Sequence, residues 1–375
     1  GINSEYILKQ ARHFCQSCRL RELVQQAAQL LERGEVEAVE EIFQKINKSK
    51  TGLFDAGGTL RERISELLTQ DDSVLWRDQI HLNIAPFDQF GVVPRRKEMF
   101  LIMGPHKRGK TWGLIHIGKQ ALKEYKRVLH ITLEVDIDIV RDRYFQAVYG
   151  VSKRPIDQVR QRIFFQGTDF AYNNESGIPC LQDDTTRGRI AARLNQERHL
   201  DDNLLVKQFP MRWLTIRRLE TYLDELELYN NFIPDVLILD YADLMNPGTQ
   251  RDEYRVSLGL LYQELRGVFV ERNMIGITAT QVNRSGVKSG LIETTDVSED
   301  ISKVNTADTV ISYNQTDRER ELGLARLYVA AARNEADKFC ALITQDYATG
   351  QFVIQSKLLD THWKDTLKTL LDKNS

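Results

Sequence analysis

No apolar run in this 375-residue chain reaches the roughly 18 residues of a membrane span. The N-terminus also lacks the charged, apolar and small-residue succession of a signal peptide. A cytoplasmic protein is the expectation. Cysteine is scarce: four residues, Cys15, Cys18, Cys180 and Cys340, are too few and too scattered for a disulfide framework. Cys15 and Cys18 form C-x-x-C beside His13, but no second ligand pair follows at zinc spacing, so two thiols on a helix are expected rather than a metal site. An excess of one charge is missing too. Lys and Arg number 51 against 53 Asp and Glu, a net charge of −2, so any nucleic-acid contact has to come from local loops and not from a globally basic surface.

What is present suffices for a large folded body. With 42% hydrophobic residues the chain can bury a full core and carry one large domain plus an appendage. Between Leu23 and Ile46 apolar residues recur at mostly helical spacing, interrupted by Gly34, which predicts two helices joined near "RGEVE". A hairpin of that size cannot bury its apolar stripe alone and must lean on a main domain or a neighbour. The glycine-containing stretch from Lys48 to Thr59 reads as a linker, giving a helical segment and linker over 1–59 and a nucleotide-binding domain over 60–375. After a helix near Leu60–Leu68, "MFLIM", "RVLHITLE", "DVLILDY", "MIGITATQ" and "DTVISY" are short apolar runs separated mostly by helix-length segments. That alternation predicts an α/β fold with a mostly parallel central sheet covered on both faces. "RLYVAAARN" and "CALITQDYATGQFVIQS" add later strands, the last two turning at Ala-Thr-Gly.

Between the first of these runs and the helix after it stands "GPHKRGKT". Gly104, Gly109, Lys110 and Thr111 fit G-x-x-x-x-G-K-S/T, so the eight residues Gly104, Pro105, His106, Lys107, Arg108, Gly109, Lys110 and Thr111 are expected to cradle the phosphates of ATP. Backbone N–H groups surround a polyphosphate only where no side chain blocks the approach, the lysine supplies a point charge, and Thr111 a ligand for Mg²⁺. A chance match in a surface loop is the alternative, and the strand-before, helix-after setting argues against it.

Hydrolysis needs a second carboxylate for the metal and a group that orients the attacking water. Asp240 ends "DVLILDY" and is the candidate metal carboxylate; the residue after it, glutamate in many oligomeric ATPases, is Tyr241. The base is therefore expected at Glu134, at the end of "HITLE", on the same sheet edge. Gln281, ending "ITATQ", is suited to sense the γ-phosphate, against the plainer reading of a buried amide. Two loops follow strand ends: "RSGVKSG", with Arg284 and Lys288, and "NPGTQRDEYR", with Arg251. Their place beside the catalytic strand ends makes these three residues candidate contacts to DNA.

With the loop, Glu134, Asp240 and Gln281 in this order, the stretch from about Ile84 to Ser356 resembles the RecA-type ATPase core of the DnaB-like replicative helicases. "VLHITLE", "PDVLILDYADLM", "TATQVNR", "EDISKVNTADTVISY" and "AAARNEADKFCALITQDYATGQF" carry the resemblance. It implies a ring-forming motor, expected to be a homo-hexamer, with single-stranded DNA as its track and a primase or helicase loader as a further partner. It also implies that Arg333 is an arginine finger acting in the next subunit's site. Two positions depart from the family pattern: Ala331 stands for the lysine of K-x-R, and Glu335 for the glycine after R-N. Two other readings stay open: a RecA- or KaiC-like ATPase that acts on DNA as a recombination, loading or regulatory factor without unwinding it, and a slow ATP-dependent assembly switch, to which the missing lysine points.

Overall fold

The computed structural model describes residues 23–33, 38–39, 42, 59–69, 78–106, 108–156, 160–166, 169–197, 199–248, 254–282, 291–296 and 302–359. The chain divides into two compact units, Gly1–Gln70 and Asp71–Ser375. In the first, residues 23–32 are helical, Ala27, Val39 and Ile42 form a small buried cluster with Leu23 and Leu30 against it, and helix α1 spans Leu60–Thr69. The division falls after α1, whereas the glycine-containing linker placed it before. The linker itself, apart from Thr59, and Cys15 and Cys18 lie outside the described residues.

The second unit begins with the short helix α2 (Ala85–Gln89) and continues β1 (Met99–Gly104), α3 (Lys110–Lys123), β2 (Val128–Thr132) and α4 (Ile137–Tyr149). A hairpin, β3 (Arg160–Gln166) and β4 (Asp169–Glu175), precedes α5 (Asp184–Gln196), α6 (His199–Asp202), β5 (Leu204–Gln208), α7 (Ile216–Asn230) and β6 (Val236–Asp240). Then come α8 (Tyr254–Glu271), β7 (Ile275–Gln281), α9 (Ser302–Thr306), β8 (Thr309–Asn314), α10 (Asp317–Glu321), β9 (Leu324–Ala332), β10 (Cys340–Thr344) and β11 (Ser356–Leu359).

Nine strands form one sheet in the order β11-β10-β9-β8-β1-β7-β6-β2-β5. Pairing is parallel from β8 through β5 and antiparallel from β8 to β11. The parallel strands β1, β2 and β6 are buried at every position because helices cover both faces. In β1, Phe100 and Ile102 enter the core on one face while Met99, Leu101 and Met103 enter the core on the other, the alternation that a pleated strand imposes. Strands β1, β2, β6, β7 and β8 all point their C-terminal ends to one sheet edge, which fixes where the site is built.

Two features escaped the sequence reading. The edge strand β5 and the β3–β4 hairpin are absent from it, the first because "LLVKQ" is partly polar, the second because "RQRIFFQ" and "DFAYNNE" mix polar and aromatic residues. The terminal hairpin does turn at Tyr347–Thr349, with an Asp346–Gln351 antiparallel bridge, but its return strand starts at Ser356 and not at Gln351. Phe352 and Val353 are buried in the core instead of pairing in the ladder. Gly350, at φ +70°, permits the turn: a Cβ there would lie 2.5 Å from the Ala147 backbone nitrogen.

Candidate nucleotide site

The phosphate loop bridges β1 and α3. Gly109 caps α3 at φ 98°, and a Cβ on it would stand 2.6 Å from Tyr347 Oη, so both backbone conformation and space require glycine. Lys110 is 7% exposed and donates from Nζ to the carbonyls of Gly104 (3.1 Å) and Pro105 (2.9 Å). Burial lowers its pKa, opposed by attraction to Glu134, Asp240 and Asp243. The ammonium is thus held at the loop's own mouth by neutral acceptors with three carboxylates around it. His106 is exposed, and Arg108 is paired with Asp317 (2.7 Å) on α10, so what the loop offers a phosphate is chiefly backbone N–H and Lys110.

Asp240 closes β6 next to the loop. It is 1% exposed, and its pKa is raised to about 6, by burial first and by Glu134, while the hydroxyl of Thr111, Lys110 and Arg143 work in the other direction. Its Oδ2 is buried with no hydrogen-bond partner. A buried carboxylate oxygen without a partner, beside a Thr111 hydroxyl, is the donor set expected for a hard divalent cation that retains several waters. Mg²⁺ therefore fits these two residues. The position of Asp240 is secured from behind: Thr278 Oγ1 donates to the Leu239 carbonyl and accepts from Ala242 N, while Asp243 accepts from Tyr262 (2.6 Å) and Thr280 (2.8 Å) and pairs with the fully buried Lys303 (3.1 Å).

Glu134 lies two residues past the end of β2, in an exposed turn. Thr132 Oγ1 donates to the Val135 carbonyl and accepts from Val135 N, and Leu133 N donates to the Asp240 carbonyl at 2.8 Å. These bonds put Glu134 beside Asp240, close enough for each carboxylate to act on the same surroundings. Gln281, at the end of β7, donates from Nε2 to Tyr241 Oη at 2.7 Å and lies 3.3 Å from His106 Nδ1. One amide thus spans the residue after Asp240 and the phosphate loop.

Arg333 follows β9 and lies elsewhere. Ala332 pairs with Thr309, and Phe100 pairs with Thr309 on the other side, so Arg333 stands at the edge where β1 begins. Its guanidinium is 52% exposed and 3.2 Å from Asp308, which also binds Arg266 (2.9 Å) and accepts from Met99 N. The rise from Met99 to Gly104 puts roughly 16 Å of strand between this edge and the phosphate loop. Glu335 is paired with Arg95 at 2.7 Å, a partner a glycine could not supply. Nothing in the structure explains Ala331.

No family model matches the chain. Over 213 residues it is 24% identical to a DnaB-like replicative helicase of Enterobacteria phage T4, a match that covers 56% of this chain and 40% of that protein. The chain therefore spans well under half the length of that curated relative. A solved structure of a DnaB-like replicative helicase, described with its interactions with primase, superposes with a TM-score of 0.64 at 13% identity, covering 91% of this chain and 76% of that one. The fold is that of a DnaB-like helicase ATPase. A second solved structure, an ATPase domain alone, agrees, with a TM-score of 0.58 at 14% identity over 79% of this chain and 99% of that domain.

The RecA-like fold expected from the motifs is thus borne out, as is the resemblance to the DnaB-like family. Of the residues singled out from sequence, Gly104, Pro105, His106, Arg108, Gly109, Lys110, Thr111, Glu134, Asp240 and Gln281 gather at one sheet edge, and Arg333 stands at the other. Lys107, Arg251, Arg284 and Lys288 lie outside the described residues. The sequence reading missed Arg143, which reaches from α4 over the Trp112 ring (5.2 Å) and attracts Asp240. It also missed the wall formed by Trp112 stacked on Tyr347 (5.3 Å) and by Tyr313, hydrogen-bonded to Tyr347 at 3.0 Å. Helical spacing marks Arg143 only as a border position, and no local pattern pairs Trp112 with a residue so distant in the chain. Among the described residues no His, Cys, Asp or Glu cluster could hold a metal by itself, and no helix is long and apolar enough to cross a membrane.

Proposed function

We propose that this chain is the ATPase engine of a ring-forming helicase that hydrolyses ATP with Mg²⁺ and moves along single-stranded DNA in the cytoplasm. The observation that carries the proposal is the convergence of Lys110, Thr111, Asp240, Glu134 and Gln281 at one sheet edge in a fold shared with DnaB-like helicases. Lys110 places a positive charge where the β- and γ-phosphate oxygens would sit, and charge stabilisation there is the main task in phosphoryl transfer. Thr111 and Asp240 would hold Mg²⁺, which supplies further charge neutralisation for the phosphates. Glu134, exposed at the mouth of the site, takes the proton of the attacking water, and the Gln281 amide transmits occupancy of the loop through Tyr241 and His106.

The location of Arg333 supports a ring. An arginine about one strand length from its own phosphate loop serves catalysis only when it is presented to a neighbouring subunit, and a closed hexamer gives every site such a donor. Single-stranded DNA is the track in this reading, gripped by Arg251, Arg284 and Lys288, which follow β6 and β7 in the sequence. A primase or a loader is the proposed further partner. The test is ATPase activity with and without single-stranded DNA, together with displacement of a labelled strand from a forked duplex. DNA-stimulated hydrolysis with displacement is expected; hydrolysis indifferent to DNA would leave only an ATPase, and absent hydrolysis would remove the proposal.

A further inference from the structure

We propose that the cleft beside the C-terminal half of α3 binds a small anion through its phosphate or carboxylate groups, at a site separate from the phosphate loop. The cleft has a volume of about 540 Å³, within the range of small-molecule sites. Asn83, Lys119, Gln120, Lys123, Thr349 and Gln351 supply most of its polar lining, and among the described residues no Asp or Glu lines it. Both of these side chains that can carry charge are therefore cationic.

Lys119 is the decisive residue. It is 4% exposed, and its ammonium donates to Gln351 Oε1 at 3.1 Å, a neutral acceptor. An ammonium taken out of water is costly unless a counter-charge and further acceptors compensate it. Burial, with Lys123 adding repulsion, pushes Lys119 down to about 8, in line with that missing compensation. Lys123, exposed at the mouth, brings a second cation, and the amides of Asn83 and Gln120 add donors, while the Gln351 NH₂ is held by the Ala147 and Thr349 carbonyls. A helix C-terminus favours cations in its last turn, which accounts for Lys123; Lys119 stands a turn earlier, where that field has faded. An anion entering the cleft would give Lys119 the charge it lacks. It would also touch Thr349 and Gln351, in the same turn that sets Tyr347 against Gly109.

The test is calorimetric titration of the full chain with inorganic phosphate and, separately, succinate, the phosphate loop being filled by saturating ADP. Binding of at least one anion is expected, weakened about tenfold or more in Lys119→Met because a hydrogen bond to a charged group is lost, with ADP affinity unchanged. Phosphate alone or succinate alone would identify which group the site prefers; either supports the proposal. No binding of either at tens of millimolar, or parental affinity in Lys119→Met, overturns it. If Lys119→Met does not fold, as judged by ADP binding, Lys123→Ala decides: a weakening of about two- to fivefold, the size expected for an exposed charge, supports the site, and unchanged affinity refutes it. Phosphate titration of Lys110→Ala without ADP reads the cleft even if the nucleotide reading fails, since that variant is expected to keep the cleft's binding.

Discussion

Replacing Asp240 by asparagine should make the ligand-free chain more stable and its nucleotide site worse. The carboxyl is 1% exposed, and burial raises its pKa from 3.8 to about 6. Because the folded value lies above the unfolded one, the fold disfavours the charged form. The stabilising contribution of the neutral group is complete below pH 3.8 and is lost as pH rises through about 6. That displacement corresponds to about 3 kcal/mol at neutral pH, as an order of magnitude. Asparagine carries no charge at any pH, keeps an acceptor for the Thr111 hydroxyl, and leaves its NH₂ at the position of the unpartnered Oδ2. Discounting for that buried amide leaves a net gain of about 1–2 kcal/mol. Urea melts without Mg²⁺ or nucleotide, at about pH 7.5 and about pH 4, measure it. The variant should exceed the parent at the higher pH, the gain should shrink toward the lower, and Mg²⁺-dependent ATP binding should weaken at least about tenfold. A variant less stable than the parent at the higher pH, or one that binds Mg·ATP as tightly, would refute the reasoning about this carboxylate.

Lys110→Ala should abolish hydrolysis while the chain still folds, checked by steady-state ATPase and circular dichroism, since it removes the positive charge buried at the loop. Glu134→Gln should keep nucleotide binding and slow single-turnover hydrolysis by roughly 10² or more, as loss of a positioned base does; equal losses in binding and turnover would make it a structural residue. Mixing Lys110→Ala with Arg333→Ala subunits should restore ATPase above the sum of the separate variants, because an intact loop can then meet an intact finger across an interface; no rescue would place the arginine's role elsewhere. Arg284→Ala with Lys288→Ala should weaken single-stranded DNA binding and flatten its salt dependence, each phosphate contact contributing roughly 0.7 to the slope, with basal ATPase retained.

The candidate site's members were legible because each belongs to a local pattern. "GPHKRGKT" between an apolar run and an amphipathic one specifies a strand, a loop and a helix, and Glu134, Asp240 and Gln281 each follow a short apolar run that only a buried strand explains. The polar strand β5 and the mixed β3–β4 hairpin were not legible, since edge and surface strands carry no continuous apolar signal. Arg143 and the Trp112–Tyr347 wall depend on contacts between elements distant in the chain, which residue spacing does not encode.

By itself, then, the sequence determined the α/β class, the strand ends that bear the candidate chemistry, and the glycine at 109 that the loop's backbone needs. Tertiary structure decided three further things: that Gln281 is bonded to Tyr241, that Arg333 stands at the sheet edge opposite its own loop, and that Lys119 is buried against a neutral acceptor. The physical reason is one of range. Backbone conformation and burial periodicity are set by near neighbours, whereas the direction a side chain faces, and the charges it meets there, follow from strand order and from which helices cover the sheet.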